Sequence, residues 1–563
     1  MGEFAEADAM AAEYQAKGGQ PGLVYGIVRD GELVHAGGLG QRRLGGPAPD
    51  AGTVFRIASM SKSFTAAAIL LLRDQGKLAL DEPASRYLTQ LRDWEYQPSI
   101  RQLLTMTAGL PTDDPWGDRQ QGLPLAEFDA FLAGQVSFAR APGTSFEYSN
   151  LGYAILGRVI ASASGLAFPD FIQDRLMRPL GMSSSGYEAA EVCPAADLAT
   201  GYRRAPAGWE ELPVMPYGAF APMGGVFTSV SDLARWVAGL ADESAGHPLS
   251  GASRLEMQQP ATPTLWDRPA VFPGDGHLTA YGFGLAVSED PVLGRVIGHG
   301  GGYPGFGSYM RWHPATRTGA IAFGNSTYAR MQQLTARLLA TIMGDRPVIA
   351  PWPATRAARE AVNGLLGCWD EAAADRLFTP NVAQDTPYAE RRAAIERVRA
   401  RIGDFADDKA YPPEHDTPAH CRWRLRGEHG AVQAAILLTP EREPRVQWVN
   451  LVIPPAAGGP LASAVDGILA WMNGAEAGAG AGAEAGAEAG GGGCPVGDAV
   501  TRRRLRAAAA WAGRCRVGAY TGGDGEITAI TELAGEHATL SLSVAIDHVT
   551  GAVAQASVSW QPD

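Results

Sequence analysis

Cysteine is scarce: the 563 residues hold five, Cys193, Cys368, Cys421, Cys494 and Cys515, and they stand far apart. No C-x-x-C pair exists, which excludes a zinc ribbon or a redox dithiol of that spacing and leaves reduced, incidental thiols. Positive charge is also short. Lys and Arg number 47 against 60 Asp and Glu, for a net charge of −13. Nucleic acid and anionic membrane reward a basic face, so neither is expected as a partner. Long apolar runs are missing too. The longest, from Thr65 to Leu72, falls well short of the ~20 residues that a membrane span needs. The opening MGEFAEADAMAAEYQAKGG is acidic, with no basic start and no apolar core, so it does not read as a secretory signal, and a cytoplasmic location is the expectation. The ten histidines are scattered. There is no H-E-x-x-H, no Walker A and no G-x-S-x-G elbow, so no metal and no cofactor is expected.

What is present is a chain too long for one ordinary core. Residues 23–40 read as a hairpin turning at Asp30-Gly31. From Ser59 to about Gln75 the composition is helical, with Gly76 as the stop. A mostly helical stretch follows, with Ile100–Thr107, Leu125–Gly134 and Ser229–Leu240 among its helices. Arg295–Gly298, Phe306–Trp312 and Thr318–Phe323 read as strands, and a helix from Tyr328 to Met343 closes the unit. Strands at both ends with helices between predict one α+β domain over residues 1–350, its antiparallel sheet joining the two ends.

Pro351-Trp352-Pro353 marks a boundary, and beyond it the sequence repeats itself. Ala361-Val-Asn-Gly-Leu-Leu-Gly-Cys-Trp resembles Ala464-Val-Asp-Gly-Ile-Leu-Ala-Trp-Met, and Gly427-Glu-His matches Gly535-Glu-His. Two small α+β units are expected, over 356–455 and 456–563. The second is interrupted at 475–493 by an Ala/Gly/Glu tract that builds no core, a disordered insertion. The helix-then-sheet order is similar to nuclear transport factor 2-like domains, which implies binding or dimerising modules and a homo-oligomer formed through them.

Chemistry concentrates at three places. Ser59-Met60-Ser61-Lys62 is an S-x-x-K element, and on a helix residues three apart share a face. A serine hydroxyl needs a neighbour to take its proton, and a lysine desolvated in a closed site can do so. Tyr148-Ser-Asn150 sits in a loop before a helix. There the phenol, beside a cation, can serve as a phenolate-like base, and Asn150 can hold Lys62 and a substrate carbonyl. His299-Gly300-Gly301-Gly302 follows a strand. Gly301 and Gly302 strip its edge of side chains for a substrate backbone, and the Gly302 and Ser59 N–H groups make an oxyanion site. The dinucleotide pattern Gly300-x-Gly302-x-x-Gly305 is rejected, because Pro304 and a strand follow where a helix must open. Asp113-Asp114, between prolines, reads as a solvated loop at the cleft mouth, and Arg502-Arg503-Arg504 as a solvated helix face.

With FRIASMSKSFTA, RQLLTMTAGL, YSNLGYAILGRVI, RPLGM and APMGGVFTSVSDLARW, the segment 10–345 resembles the serine β-lactamase and penicillin-binding protein superfamily, in its class C-like branch. The resemblance implies a sheet flanked by helices plus an all-helical subdomain. It also implies an acyl-enzyme on Ser59, with Lys62 and Tyr148 as base and acid, Asn150 orienting substrate, and His299 in the third motif. A small-molecule or short-peptide substrate follows. Amide, D-residue peptide and ester substrates rank ahead of β-lactams, because His299 stands where many β-lactamases carry lysine. Acyl transfer to an amine or alcohol uses the same residues, and a slowly acylated sensor is the non-catalytic alternative. Met106 stands where the superfamily commonly has histidine, and a packing change is the expectation.

Overall fold

The computed structural model describes residues 3–134, 136–194, 197–242, 246–264, 278–290, 293–344, 350–474, 495–497 and 499–560. The insertion at 475–493 and Cys494 lie outside them. The chain divides into two compact units, Met1–Pro347 and Val348–Asp563.

In the first unit, α1 (Ala5–Ala16) precedes the hairpin β1 (Gly22–Arg29) and β2 (Glu32–Gly40). The turn works because Asp30 and Gly31 both adopt positive φ, 52° and 86°, which matches the twist of the flanking strands. A helical layer follows, containing α2 (Ser61–Asp74), α3 (Asn150–Ser164) and α4 (Val230–Ala241). The chain then returns through β3 (Thr262–Pro263), β4 (Leu278–Tyr281), β5 (Ala286–Asp290), β6 (Gly294–Tyr303), β7 (Phe306–His313) and β8 (Thr318–Gly324), and ends in α5 (Met331–Met343).

The eight strands order β2-β1-β8-β7-β6-β5-β4-β3, so the first strand of the unit, β1, pairs with its last, β8. β1 and β8 are buried along almost their whole length, because α1 and α5 cover one face of the sheet and α4 with the helical layer covers the other. That explains why they read as continuous rather than alternating apolar runs. β6 runs ten residues, on past the predicted Arg295–Gly298 through His299 and the glycines. The short strands β3 to β5 escape the sequence reading; their alternation is too brief to register.

In the second unit, four helices, α6 (Pro353–Gly367), α7 (Glu371–Leu377), α8 (Pro380–Asp385) and α9 (Tyr388–Ile402), lead into β9 (Ala406–Asp407), β10 (His420–Gly427), β11 (Gly430–Leu438) and β12 (Val446–Leu451). Then α10 (Pro460–Gly474) and α11 (Ala499–Ala512) lead into β13 (Arg516–Gly522), β14 (Thr528–Ala534), β15 (Thr539–Ile546) and β16 (Val553–Trp560). One sheet runs β9-β10-β11-β13-β14-β15-β16, with β12 also paired to β11. The two strand sets join in parallel at Val432 and Tyr520, and Tyr520 packs against both apolar cores of the unit.

The two Gly-Glu-His triplets occupy corresponding turns, Gly427-Glu-His between β10 and β11 and Gly535-Glu-His between β14 and β15. In each, the histidine N–H donates to the last carbonyl of the preceding helix, His429 to Ile402 and His537 to Ala512. The glycine is required by the same closeness: a Cβ on Gly427 would lie 2.1 Å from the Ile402 oxygen, and one on Gly535 2.5 Å from the Ala512 oxygen.

Candidate active site

Ser59 does not open the α-helix, as its composition predicts. It sits in a 3-10 turn, Ala58–Met60, just ahead of α2. Ala58 takes φ +49°, a left-handed conformation unfavourable to a residue with a Cβ, so the turn is sharp and strained. Neighbours pin it on both sides. The Ile57 N–H donates to the Val226 carbonyl, the Val226 N–H to the Ser61 hydroxyl at 3.0 Å, and the Ser308 hydroxyl of β7 to the Ile57 carbonyl at 2.8 Å. A two-residue ladder pairs Phe55 with Thr228 and Arg56 with Phe227, which lays the turn 221–225 beside Ser59 and Lys62.

Lys62 is fully buried. Its ammonium donates to the Ser59 hydroxyl at 2.9 Å, to Oδ1 of Asn150 at 2.7 Å and to the Met223 carbonyl at 3.1 Å, and it lies 4.8 Å from the Tyr148 ring centroid. Burial pulls its pKa down to about 8, against the opposing charges of Asp114, Asp118 and Asp113. Of its three acceptors only the serine has a proton to return. Neutral Lys62 is therefore a base aimed at Ser59.

Tyr148 is buried beside them, and burial, then the Asp114 charge, pushes its pKa well above the usual phenol value. The hydrogen bond with Ser59 only partly opposes this. The phenolate-like state expected from sequence is thus disfavoured: Tyr148 is held as a neutral phenol, because desolvation outweighs the nearby cation.

Asp113 and Asp114 correct the sequence reading most. Asp113 accepts from the Asn150 and Leu151 N–H groups, at 2.6 and 2.8 Å, and so satisfies the first donors of α3. Asp114 accepts from Nδ2 of Asn150 at 2.8 Å, which fixes the amide with Oδ1 toward Lys62. Asp113 is half-buried and Asp114 exposed, yet both are tied to Asn150 as a positioning frame and not left as a free loop. Asp118, buried and accepting from the Tyr328 hydroxyl at 2.8 Å, is raised by burial to about 7. Met106 also does more than pack: at φ +59° it presents its sulfur to the Ser149 N–H at 3.4 Å and its carbonyl to the Glu147 N–H at 2.8 Å, bracing the Tyr148 loop.

His299 is 2% exposed. Nδ1 lies 2.6 Å from the Gly300 carbonyl, which can only accept, so Nδ1 carries the proton and Nε2 accepts from the Tyr281 hydroxyl at 3.0 Å. Burial, reinforced by the Lys62 charge, lowers the pKa to about 3, so the ring is neutral at physiological pH. The glycines after it are sterically required. A Cβ on Gly301 would lie 2.1 Å from the Ile57 oxygen, and one on Gly302 2.7 Å from the Tyr328 ring. This brings β6 directly against the turn that carries Ser59.

The structure therefore gathers Ser59, Lys62, Tyr148 and Asn150 into one contact cluster and lays the strand of His299, Gly301 and Gly302 alongside. Sequence reasoning missed the Met223 carbonyl, Asp113, Asp114 and Tyr281. A backbone carbonyl has no sequence signal, whereas the paired aspartates were visible and their hydrogen bonds to Asn150 and Leu151 were not.

The Beta-lactamase family model matches residues 7–342. Penicillin-binding protein 4* of Bacillus subtilis (strain 168) is 29% identical over 275 residues, covering 46% of this chain; the chain in turn spans only 57% of that relative's length. The D-alanyl-D-alanine-carboxypeptidase/endopeptidase AmpH of Escherichia coli (strain K12) is 27% identical, over 54% of this chain and 80% of the relative. A D-aminopeptidase of Cereibacter sphaeroides (strain ATCC 17029 / ATH 2.4.9) is 28% identical, over 68% of this chain and 70% of the relative. In fold the chain is similar to an octameric penicillin-binding protein homologue from Pyrococcus abyssi, with TM-score 0.55, 23% identity, and coverage of 78% of this chain and 92% of that one. It is also similar to a class C beta-lactamase, with TM-score 0.52, 21% identity, and coverage of 61% and 96%. The chain belongs to the Beta-lactamase family.

Proposed function

We propose that this Beta-lactamase family chain is a serine hydrolase that forms an acyl-enzyme on Ser59 from an amide, a peptide or an ester. The observation that carries the reading is the buried Lys62 ammonium donating to Ser59 at 2.9 Å, with a pKa lowered to about 8. Neutral Lys62 takes the Ser59 proton as Oγ bonds to the substrate carbonyl carbon. The oxyanion is received by the Ser59 and Gly302 N–H groups. The Tyr148 phenol gives its proton to the leaving nitrogen or oxygen and recovers one from Lys62, and the carbon–leaving-group bond breaks. Water, delivered through the same pair, then releases the acid and restores Ser59. The names of the carboxypeptidase/endopeptidase and D-aminopeptidase relatives support peptide and amide substrates.

His299 favours the same choice. A ring neutral above about pH 3 offers no cation to a substrate carboxylate, which ranks carboxylate-bearing β-lactams below amides and esters. We assign assembly to the second unit, as a homo-oligomer that light scattering will detect. The test of the chemistry is an acylation burst with p-nitrophenyl acetate. A positioned proton-transfer group contributes ~10²–10⁴-fold, so Tyr148→Phe is expected to slow acylation by that factor; a rate near the parent's removes Tyr148 from the mechanism.

A further inference from the structure

The first helical half of the second unit forms a half-open cavity of about 400 Å³ between α6, α9 and β12, remote in sequence from the residues of the serine site. Its walls include Leu366, Phe378, Val382 and Ile395, all buried in the apolar core of that half. At the ~30 Å³ that each water takes in the liquid, it holds roughly a dozen heavy atoms. Small-molecule sites fall in this size range and share this character, an apolar lining with a few convergent polar groups.

Two residues of the lining, Arg391 and Trp369, carry hydrogen-bond donors that matter here. Arg391 is half-buried, and its guanidinium donates to three backbone carbonyls: Thr386 at 3.1 Å, Val449 at 3.2 Å and Val382 at 2.9 Å. Those bonds use three of its five N–H donors and supply no counter-charge. Among the described residues Arg391 forms no ion pair within 4 Å; the charge of Asp385 acts on it from a distance, and Asp385 and Glu390, which line the cavity with Arg397, are exposed. The second group is the Trp369 indole N–H, which is buried and has no hydrogen-bond partner among the described residues. A buried donor without an acceptor is costly, and natural structures rarely leave one unmet. Trp369 also packs with Phe378 and Tyr388, at ring centroid separations of 6.4 and 5.4 Å, so the wall is aromatic.

Both unmet groups are donors, one of them cationic, and they stand on an aromatic, apolar wall. We propose that this cavity is a binding site for a small aromatic carboxylate. The carboxylate takes the two free N–H groups of Arg391, and its ring packs against Phe378, Leu366 and Ile395. The site is independent of Ser59.

The test is calorimetric titration of the full chain with trans-cinnamate and, in parallel, with uncharged cinnamyl alcohol. Saturable one-to-one binding of the acid is expected, at least tenfold tighter than the alcohol. It should be retained in Ser59→Ala, and weakened tenfold or more in Ala394→Phe, which fills the cavity, and in Arg391→Met. Circular dichroism establishes that each variant is folded. If Arg391→Met fails to fold, Ala394→Phe decides alone, since Ala394 lines the cavity and carries no polar group. No saturable binding by the parent, equal affinity for the alcohol, or unchanged affinity in Ala394→Phe overturns the proposal. Loss of binding in Ser59→Ala places the ligand at the serine and overturns it too.

Discussion

In the proposed mechanism Lys62 sets the pH behaviour of the site. Its ammonium is satisfied by three acceptors, yet the chemistry needs the neutral amine. With its pKa lowered to about 8, roughly a tenth is neutral at pH 7. Acylation should therefore rise with pH about tenfold per unit below 8 and level off above it. His299, already neutral, should contribute no limb between pH 5 and 9. A pre-steady-state profile with p-nitrophenyl acetate checks this, and a rate flat from pH 6 to 9 contradicts the lysine-base assignment. At this scale Ser59, Lys62, Tyr148 and Asn150 were legible in sequence, because each carries side-chain chemistry at a fixed spacing. Protonation was not legible. Whether Tyr148 is a phenol or a phenolate depends on burial, and the hydrogen bonds of Asp113 and Asp114 to Asn150 turned an apparent solvated loop into the frame that orients that residue.

At the scale of elements, the site is a junction of a strained turn, the start of α3 and the edge of β6. The hairpin, the long helices and β6 to β8 followed from periodicity and turn residues. The 3-10 turn at Ser59 did not, because its left-handed Ala58 is imposed by tertiary hydrogen bonds rather than by local preference. The approach of β6 to that turn depends on glycine. Gly301→Ala places a methyl 2.1 Å from the Ile57 oxygen and 2.4 Å from the Ser308 hydroxyl, so strand and turn must part. The expected result is a loss of acylation of tenfold or more with the sheet retained, measured as kcat/KM beside circular dichroism. Unchanged kinetics would show that β6 does not need this contact.

Across the whole molecule, two units meet different demands. The first buries Lys62, the proposed base, within a helical layer. The second repeats a helix-then-sheet theme whose Gly-Glu-His turns are tied to helix ends in the same way. We read the second unit as a duplication, a proposal that gives its own prediction. Gly427→Ala and Gly535→Ala should each lower the melting temperature of the second unit, since each forces a helix end from its turn, while acylation at Ser59 is unaffected. Calorimetry of the full chain beside the p-nitrophenyl acetate assay measures both. A variant that melts like the parent would break the equivalence of the two turns. The proposed repeat showed in sequence as a few matching letters; that the two Gly-Glu-His matches sit at corresponding turns did not, because short likenesses carry no register.

The most direct test of the central claim is mass spectrometry of the chain quenched during turnover of p-nitrophenyl acetate. An acetyl adduct on the peptide containing Ser59, absent from Ser59→Ala, is the predicted result. Turnover with no adduct on that peptide, or turnover that persists in Ser59→Ala, would contradict it.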